Sequence, residues 1–353
     1  MGRASAAPVY SKRQGGLVSV NSAVPQSVNR QQTPSTGAEV SVLRQLPTRL
    51  IEMYTQDPMK RFNRLIACVS AFLIITVFAL LPVAQLRISI FLVTLPAPLL
   101  IGGFAVWSQV VSCPRLRDAS LLCFWALLIT VCIGSLVWVA ARTPIALVDL
   151  SLANFDHSIG LETNMAVQAA AFHPRVAKVL AAIYTLMIPF SLAALIISVF
   201  EGKREPAQRL VIAYAVAALT TISLFALYPA AGPWTVYPFK ASADQLLVQS
   251  TLALLKTSGP LRQNIAHCGL VAFPSFHVAQ CILTAIAFWH SRWLRFPAAV
   301  LAILMCISTV TTGWHYIIDV IGGVAVAILS QVIAVWVFRQ WVQTKPVVAG
   351  EPS

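Results

Sequence analysis

The chain has 353 residues, a net charge of +13, 58% hydrophobic residues and 10% charged ones. A soluble domain carries about 25% charged residues, so water alone cannot solvate this surface and lipid must cover much of it. The positive charges flank apolar runs instead of gathering on one domain, which argues against nucleic-acid binding and matches the Lys/Arg bias of cytoplasmic loops.

Residues 1–60 are rich in Ser, Gln, Pro, Gly and Arg and read as a solvated, disordered, basic cytoplasmic tail. They lack the apolar core of a signal peptide. The absence of acidic residues before Glu39 leaves a transit peptide as the lesser alternative.

Beyond the tail, long stretches carry no Lys, Arg, Asp or Glu, and a helix needs about 20 apolar residues to cross a bilayer. Eight spans are predicted, at 65–83, 89–111, 119–140, 177–199, 209–229, 275–290, 296–313 and 317–338. The runs are too long and too uniformly apolar for the alternating segments of a β-barrel. The expected fold is therefore all-α, a polytopic transmembrane helical bundle. Residues 61–118 supply two additional N-terminal spans, 119–340 the main membrane domain, and 341–353 a short cytoplasmic tail.

With eight spans both termini share a side. That side collects eighteen of the Lys and Arg, against seven on the other: Arg87, Arg142, Arg175, Lys178, Lys240, Lys256 and Arg262. The termini are thus expected to be cytoplasmic, with loops 141–176 and 230–274 outside, in the periplasm or an organelle lumen.

In the first of these loops, Asp149, Asp156, His157 and Glu162 interrupt the apolar runs of 145–172, as in an amphipathic helix lying on the outer surface. The second opens with the turn Pro229-Ala-Ala-Gly-Pro233, continues in a helix from about Ala243 to Lys256, and breaks at Gly259-Pro260. Seven Cys show no C-x-x-C pair, so neither a metal site nor a disulfide framework is expected.

Three features carry chemistry. His315 and Asp319 stand four residues apart, on one face of a helix, at the outer end of the last span. A carboxylate in an uncharged run is expensive and needs a partner or a task. Accepting from one imidazole nitrogen would free the other as a base or nucleophile, although a structural His–Asp pair remains an alternative.

In Phe273-Pro-Ser-Phe-His277, Ser275 reads as a helix cap and places His277 in the first turn, where unpaired backbone N–H groups favour anions. Lys256 and Arg262, on the same outer loop, complete a phosphate site or are simply solvated charges.

The order basic loop, P-S-x-H, S-x6-H-x3-D resembles the type 2 phosphatidic acid phosphatase superfamily over roughly residues 145–338. The resemblance implies a six-helix core like that of vanadium haloperoxidases. The second motif is Pro274-Ser275-Phe276-His277 and the third runs from Ser308-Thr309 to His315 and Asp319.

Three positions depart from the usual pattern. The first motif is shortened, with Gln263 after Arg262. Phe276 replaces a Gly, and Thr309 replaces an Arg that would contact phosphate. These departures, with Gly313-Trp-His-Tyr316 and with Asp149 and Asp156, resemble the branch containing inositol phosphorylceramide synthases, which includes transferases.

By that resemblance His315 attacks phosphorus, Asp319 orients it, and His277 protonates the leaving oxygen and then activates the acceptor. Lys256, Arg262, Ser308 and the N–H groups of Ser275 and Phe276 hold the phosphoryl oxygens. No metal or other cofactor is required. The implied partners are the bilayer, a lipid phosphate substrate and an alcohol or lipid acceptor. A transporter and a catalytically silent scaffold with the same fold are the alternatives; polar residues gathered at span ends on one side speak against transport.

Overall fold

The structure is a computed structural model that describes residues 58–86, 89–257 and 269–343. The basic tail before residue 58, Arg262, Gln263 and the last residues from 344 lie outside the described residues.

The described residues fold as helices: α1 Pro58–Val83, α2 Ser89–Leu92, α3 Pro96–Val110, α4 Pro114–Ala141, α5 Asp149–Ser158, α6 Thr163–Ala171 and α7 Pro174–Tyr184. There follow α8 Met187–Phe200, α9 Arg204–Leu227, α10 Ala243–Lys256, α11 Phe276–Ala287, α12 Arg295–Thr311 and α13 Ile317–Val337. The apolar helices make the chain an integral membrane protein.

Among the described residues four helices, α1, α4, α9 and α13 with its short extension, are long and apolar enough to cross a bilayer, and α7 with α8 makes a fifth if that bent pair counts as one span. The expected count of eight is thus reached only by including shorter pieces. The predicted span 89–111 is split into α2 and α3, because Pro96 and Pro98 lack N–H groups and fit only a first turn. The span 177–199 bends by 52° between α7 and α8. Pro189 cannot donate to the Thr185 carbonyl four residues back, so the ladder breaks there. α11 and α12 are shorter apolar helices.

The bundle is built around α11, which packs on α8, α9, α12 and α13. α4 joins it through α8 and α9, and α1 and α3 lie against α4. On α13 the buried positions Asp319, Gly323, Val326, Ala327, Ser330 and Ala334 form one helical stripe. The other sides present exposed Ile328, Val332 and Trp336, and α1 does the same with Phe72 and Ile75. Apolar side chains exposed this consistently around a bundle meet hydrocarbon.

Ion pairs gather at one end of the helices. There buried Asp118 pairs with Arg117 and Arg204, and Glu205 with Arg209. At the opposite end α4, α9 and α12 finish while α11 and α13 begin. Contacts there include Thr143 Oγ1 donating to the Ala226 carbonyl and Ser275 N–H to the Asp319 carbonyl.

The stretch 145–172 departs from the expected single surface helix. It forms α5 and α6, separated by a turn at Gly160. Asp149 and Asp156 face inward and are buried, because each accepts hydrogen bonds from backbone N–H groups of the bundle. α10 matches its predicted range and is closed by a capping box between Ser242 and Gln245.

Candidate active site

After α12 ends at Thr311 the chain reverses through Gly313, whose φ of +75° suits glycine. A Cβ there would also come within 2.8 Å of the Phe239 ring. The Thr309 carbonyl accepts the N–H groups of Trp314 (3.2 Å) and His315 (3.1 Å) and anchors the turn. α13 then starts under two carboxylates. Asp156, from α5, accepts the Ile317 N–H at 2.9 Å and the Ile318 N–H at 2.8 Å. Asp319 accepts the Tyr316 N–H at 2.8 Å. These bonds satisfy orphan donors that any helix start presents.

His315, 2% exposed, is held through Nδ1. The Ala272 carbonyl lies 2.8 Å away and Asp319 Oδ2 3.3 Å away. A carbonyl can only accept, so Nδ1 carries the proton and Nε2 keeps its lone pair. The expectation that Asp319 orients His315 therefore needs refinement: the backbone oxygen makes the shorter bond. Burial pushes the His315 pKa down to about 4, against the opposing pull of the Ala272 bond. The imidazole is neutral at pH 7, as a nucleophile must be.

His277 is placed by the start of α11. Ser275 caps the helix, its Oγ accepting the Val278 N–H at 3.4 Å. Its own N–H donates to the Asp319 carbonyl at 3.0 Å, so it is not open to a phosphoryl oxygen as the sequence suggested. The N–H groups of Phe276 and His277 have no acceptor among the described residues, and they form the anion-favouring end of α11.

The helix starts approach closely because α13 carries Gly322-Gly323. A Cβ on Gly323 would fall 2.5 Å from the Ser275 carbonyl oxygen, and one on Gly322 3.0 Å from Pro274 Cβ. His277 and His315 face each other with ring centroids 6.1 Å apart, tilted by 57°. That separation is too long for a mutual hydrogen bond, so each ring keeps its inward edge for another partner.

An aromatic wall backs His277. Tyr184, at the end of α7, stacks on it at 4.3 Å, with the phenol oxygen 3.5 Å from Nδ1. Trp314 lies nearly parallel to Tyr184, and Trp234 meets Trp314 edge-on.

Lys256 and Ser308 make their hydrogen bonds to backbone carbonyls. Lys256 Nζ donates to the carbonyls of Thr143 (2.7 Å) and Ile145 (2.9 Å). It ends α10, about 16 Å along the helix from Gln245 at 1.5 Å per residue. Gln245 is the α10 residue that touches the site's frame, donating to the Thr312 carbonyl at 3.1 Å. Burial lowers the Lys256 pKa. Arg262 lies outside the described residues. Ser308 is fully buried and donates to the Met305 carbonyl at 2.7 Å, so its proton is already used. Thr309 bonds the Cys306 carbonyl through its side chain.

In the sequence Asp149 and Asp156 read as acidic interruptions of a surface stretch and as part of the resemblance to the synthase branch, with no role attached. In the fold Asp149 accepts the N–H groups of Ala231 (3.0 Å) and Gly232 (2.8 Å) and the Tyr316 hydroxyl (3.1 Å). Burial outweighs these bonds and raises the Asp149 pKa. Burial, followed by the charge of Asp149, raises that of Tyr316, so the phenol keeps the proton it donates. Together the two carboxylates tie α5, the 229–235 turn and the start of α13 into one frame around His315.

Among the described residues no group of three or more His, Cys, Asp or Glu is placed to hold a metal ion. No curated protein and no solved structure matches the chain. The sequence model of the PAP2 superfamily, whose members are generally phosphatases or phosphotransferases, matches residues 150–333, a stretch that holds His277, His315, Asp319 and Asp156 and begins one residue after Asp149. The chain belongs to the PAP2 superfamily.

Proposed function

We propose that this protein cleaves or transfers lipid phosphate esters at the extracytoplasmic face of its membrane through a phosphohistidine on His315. One observation carries the proposal: a neutral, Nδ1-anchored His315 faces His277 across 6.1 Å, beside two free N–H groups at the start of α11. His315 Nε2 attacks phosphorus. His277 gives a proton to the departing oxygen and later takes one from the acceptor. The Phe276 and His277 N–H groups stabilise the charge spread over the phosphoryl oxygens. Lys256 and Arg262 would add positive charge to the approach, and Ser308 would contribute only by giving up its helix bond.

Departures at Phe276 and Thr309 from the usual motifs favour a head-group transferase of inositol phosphorylceramide synthase type over a simple phosphatase. The excess of Lys and Arg on the other side of the predicted spans supports the extracytoplasmic placement, with cytoplasmic termini.

The test compares purified wild type with His315→Ala on phosphatidic acid, a prenyl diphosphate, and phosphatidylinositol with ceramide or diacylglycerol. Phosphate release lost in the variant establishes a phosphatase, and a new phospholipid formed only with an acceptor establishes a transferase. Equal activity in variant and wild type refutes the phosphohistidine mechanism.

A further inference from the structure

One turn below His277, α11 presents a polar face where an apolar one would pack more cheaply. His277, Gln280 and Thr284 are spaced i, i+3, i+7 and share one side of the helix. That side meets α7 and α8 across their break: Tyr184 covers His277, and Ser191 meets Gln280 and Thr284.

The protons of this cluster can be assigned in order. Thr284 Oγ1 donates to the Gln280 carbonyl at 2.8 Å. Its proton is then spent, so in the 2.9 Å contact Ser191 donates to Thr284. With the Ser191 proton spent as well, the 2.8 Å contact from Gln280 must be N–H to oxygen, Nε2 donating to Ser191 Oγ. Flipping the Gln280 amide would set two oxygens against each other for want of a proton. The network therefore holds the amide one way round and leaves Gln280 Oε1 buried with no partner among the described residues. Gln280 is 5% exposed. A buried acceptor left without a donor is costly, and a ligand donor that reaches it is rewarded accordingly.

We propose that Gln280 Oε1 receives the hydroxyl of the second substrate, a membrane-dissolved alcohol, and that the protein is thereby a transferase. This rests on assigning phosphoryl transfer to His315 and His277. Gln280 lies one turn beyond His277 along α11, deeper in the predicted span 275–290, the direction from which a lipid alcohol would approach. The break between α7 and α8, between Tyr184 and Ser191, is where the cover over Oε1 can part. The hydroxyl bound there stands beside His277, which is neutral after protonating the first leaving group. The alcohol oxygen attacks phosphorus and forms the new P–O bond. The P–N bond to His315 Nε2 breaks, returning the electron pair to the imidazole, and the alcohol proton passes to His277.

The test uses the full chain in lipid nanodiscs with phosphorus-labelled phosphatidylinositol as donor, whose diacylglycerol is the leaving group, and ceramide as acceptor. Two quantities are read: label retained on the protein without acceptor, and the acceptor mole fraction giving half-maximal transfer. Gln280→Leu removes the amide, and Ser191→Ala removes the group that holds it. Losing one hydrogen bond should raise the half-maximal acceptor fraction about tenfold in Gln280→Leu and about threefold in Ser191→Ala, with a clearly smaller loss of protein labelling. If Gln280→Leu does not fold, Ser191→Ala carries the test. Unchanged acceptor dependence, or labelling and transfer falling together, overturns the assignment of Gln280. A wild-type protein that takes no label on His315 overturns the phosphohistidine mechanism itself, which is a separate result.

Discussion

Removing the Asp156 carboxylate should loosen the start of α13 and with it the nucleophile. The carboxylate accepts three hydrogen bonds, from the Ile317 and Ile318 N–H groups and from Thr163 Oγ1, at 2.7 to 2.9 Å, and it is fully buried. Asp156→Ala strands the Ile318 N–H and the Thr163 hydroxyl, while the Ile317 N–H keeps its 3.1 Å bond to Thr163 Oγ1, and at about 1–3 kcal/mol for each stranded buried group the loss should be about 2–6 kcal/mol. Asp156→Asn keeps one acceptor oxygen but turns the other into a donor that faces donors. It should cost about 1–3 kcal/mol.

Because His315 stands two residues before Ile317, a small shift of the helix start moves Nε2 relative to phosphorus, and a displacement of about 1 Å can cost about 100-fold in rate. The assay pairs thermal unfolding in detergent with the rate of protein labelling by a lipid phosphate donor. Asp156→Ala should lose both, and Asp156→Asn should lose rate more than stability. An Asp156→Ala protein as stable and as fast as wild type would refute the claim that this carboxylate holds the site.

Gly323→Ala drives a Cβ to 2.5 Å from the Ser275 carbonyl, so α11 and α13 must separate; a loss of about 1–3 kcal/mol in unfolding free energy and a fall in activity are expected, larger than for Gly322→Ala. His315 is neutral down to about pH 4 instead of the ordinary 6.5, so labelling measured against pH should not fall through a His315 titration near 6.5. The same depression has a linked cost. Between pH 6.5 and about 4 the unfolded chain takes a proton that the folded one refuses, so stability should drop as pH falls through that window. Lys256→Met removes the two bonds to the Thr143 and Ile145 carbonyls, and should lower the melting temperature with less effect on donor KM; a KM effect without destabilisation would return Lys256 to the phosphate site.

Local signals were legible before any folding. The Ser242 capping box with its helix Ala243–Lys256, the Ser275 cap and the i,i+4 spacing of His315 and Asp319 depend on residues within a few positions of each other. So do the charge-free runs, since solvation by lipid is a property of composition. The breaks were harder to see. Pro189 and Pro96 were in view, but hydropathy is blind to a missing N–H, and the long runs read as unbroken spans.

The partners of the key groups came from packing across the chain. His315 donates its shortest bond to the Ala272 carbonyl, 43 residues away, and Ile317 donates to Asp156, 161 residues away. Every residue has a carbonyl and nearly every one an N–H, so no sequence marks which will meet an imidazole or a carboxylate. For the same reason the open donors at the start of α11 proved to be Phe276 and His277 instead of Ser275, whose N–H is taken by α13. Residue types and spacing specify which side chains are capable of the chemistry. Burial and the close contact of two helix starts decide their tautomer, their charge and which backbone groups remain free, because those depend on what each group meets in three dimensions.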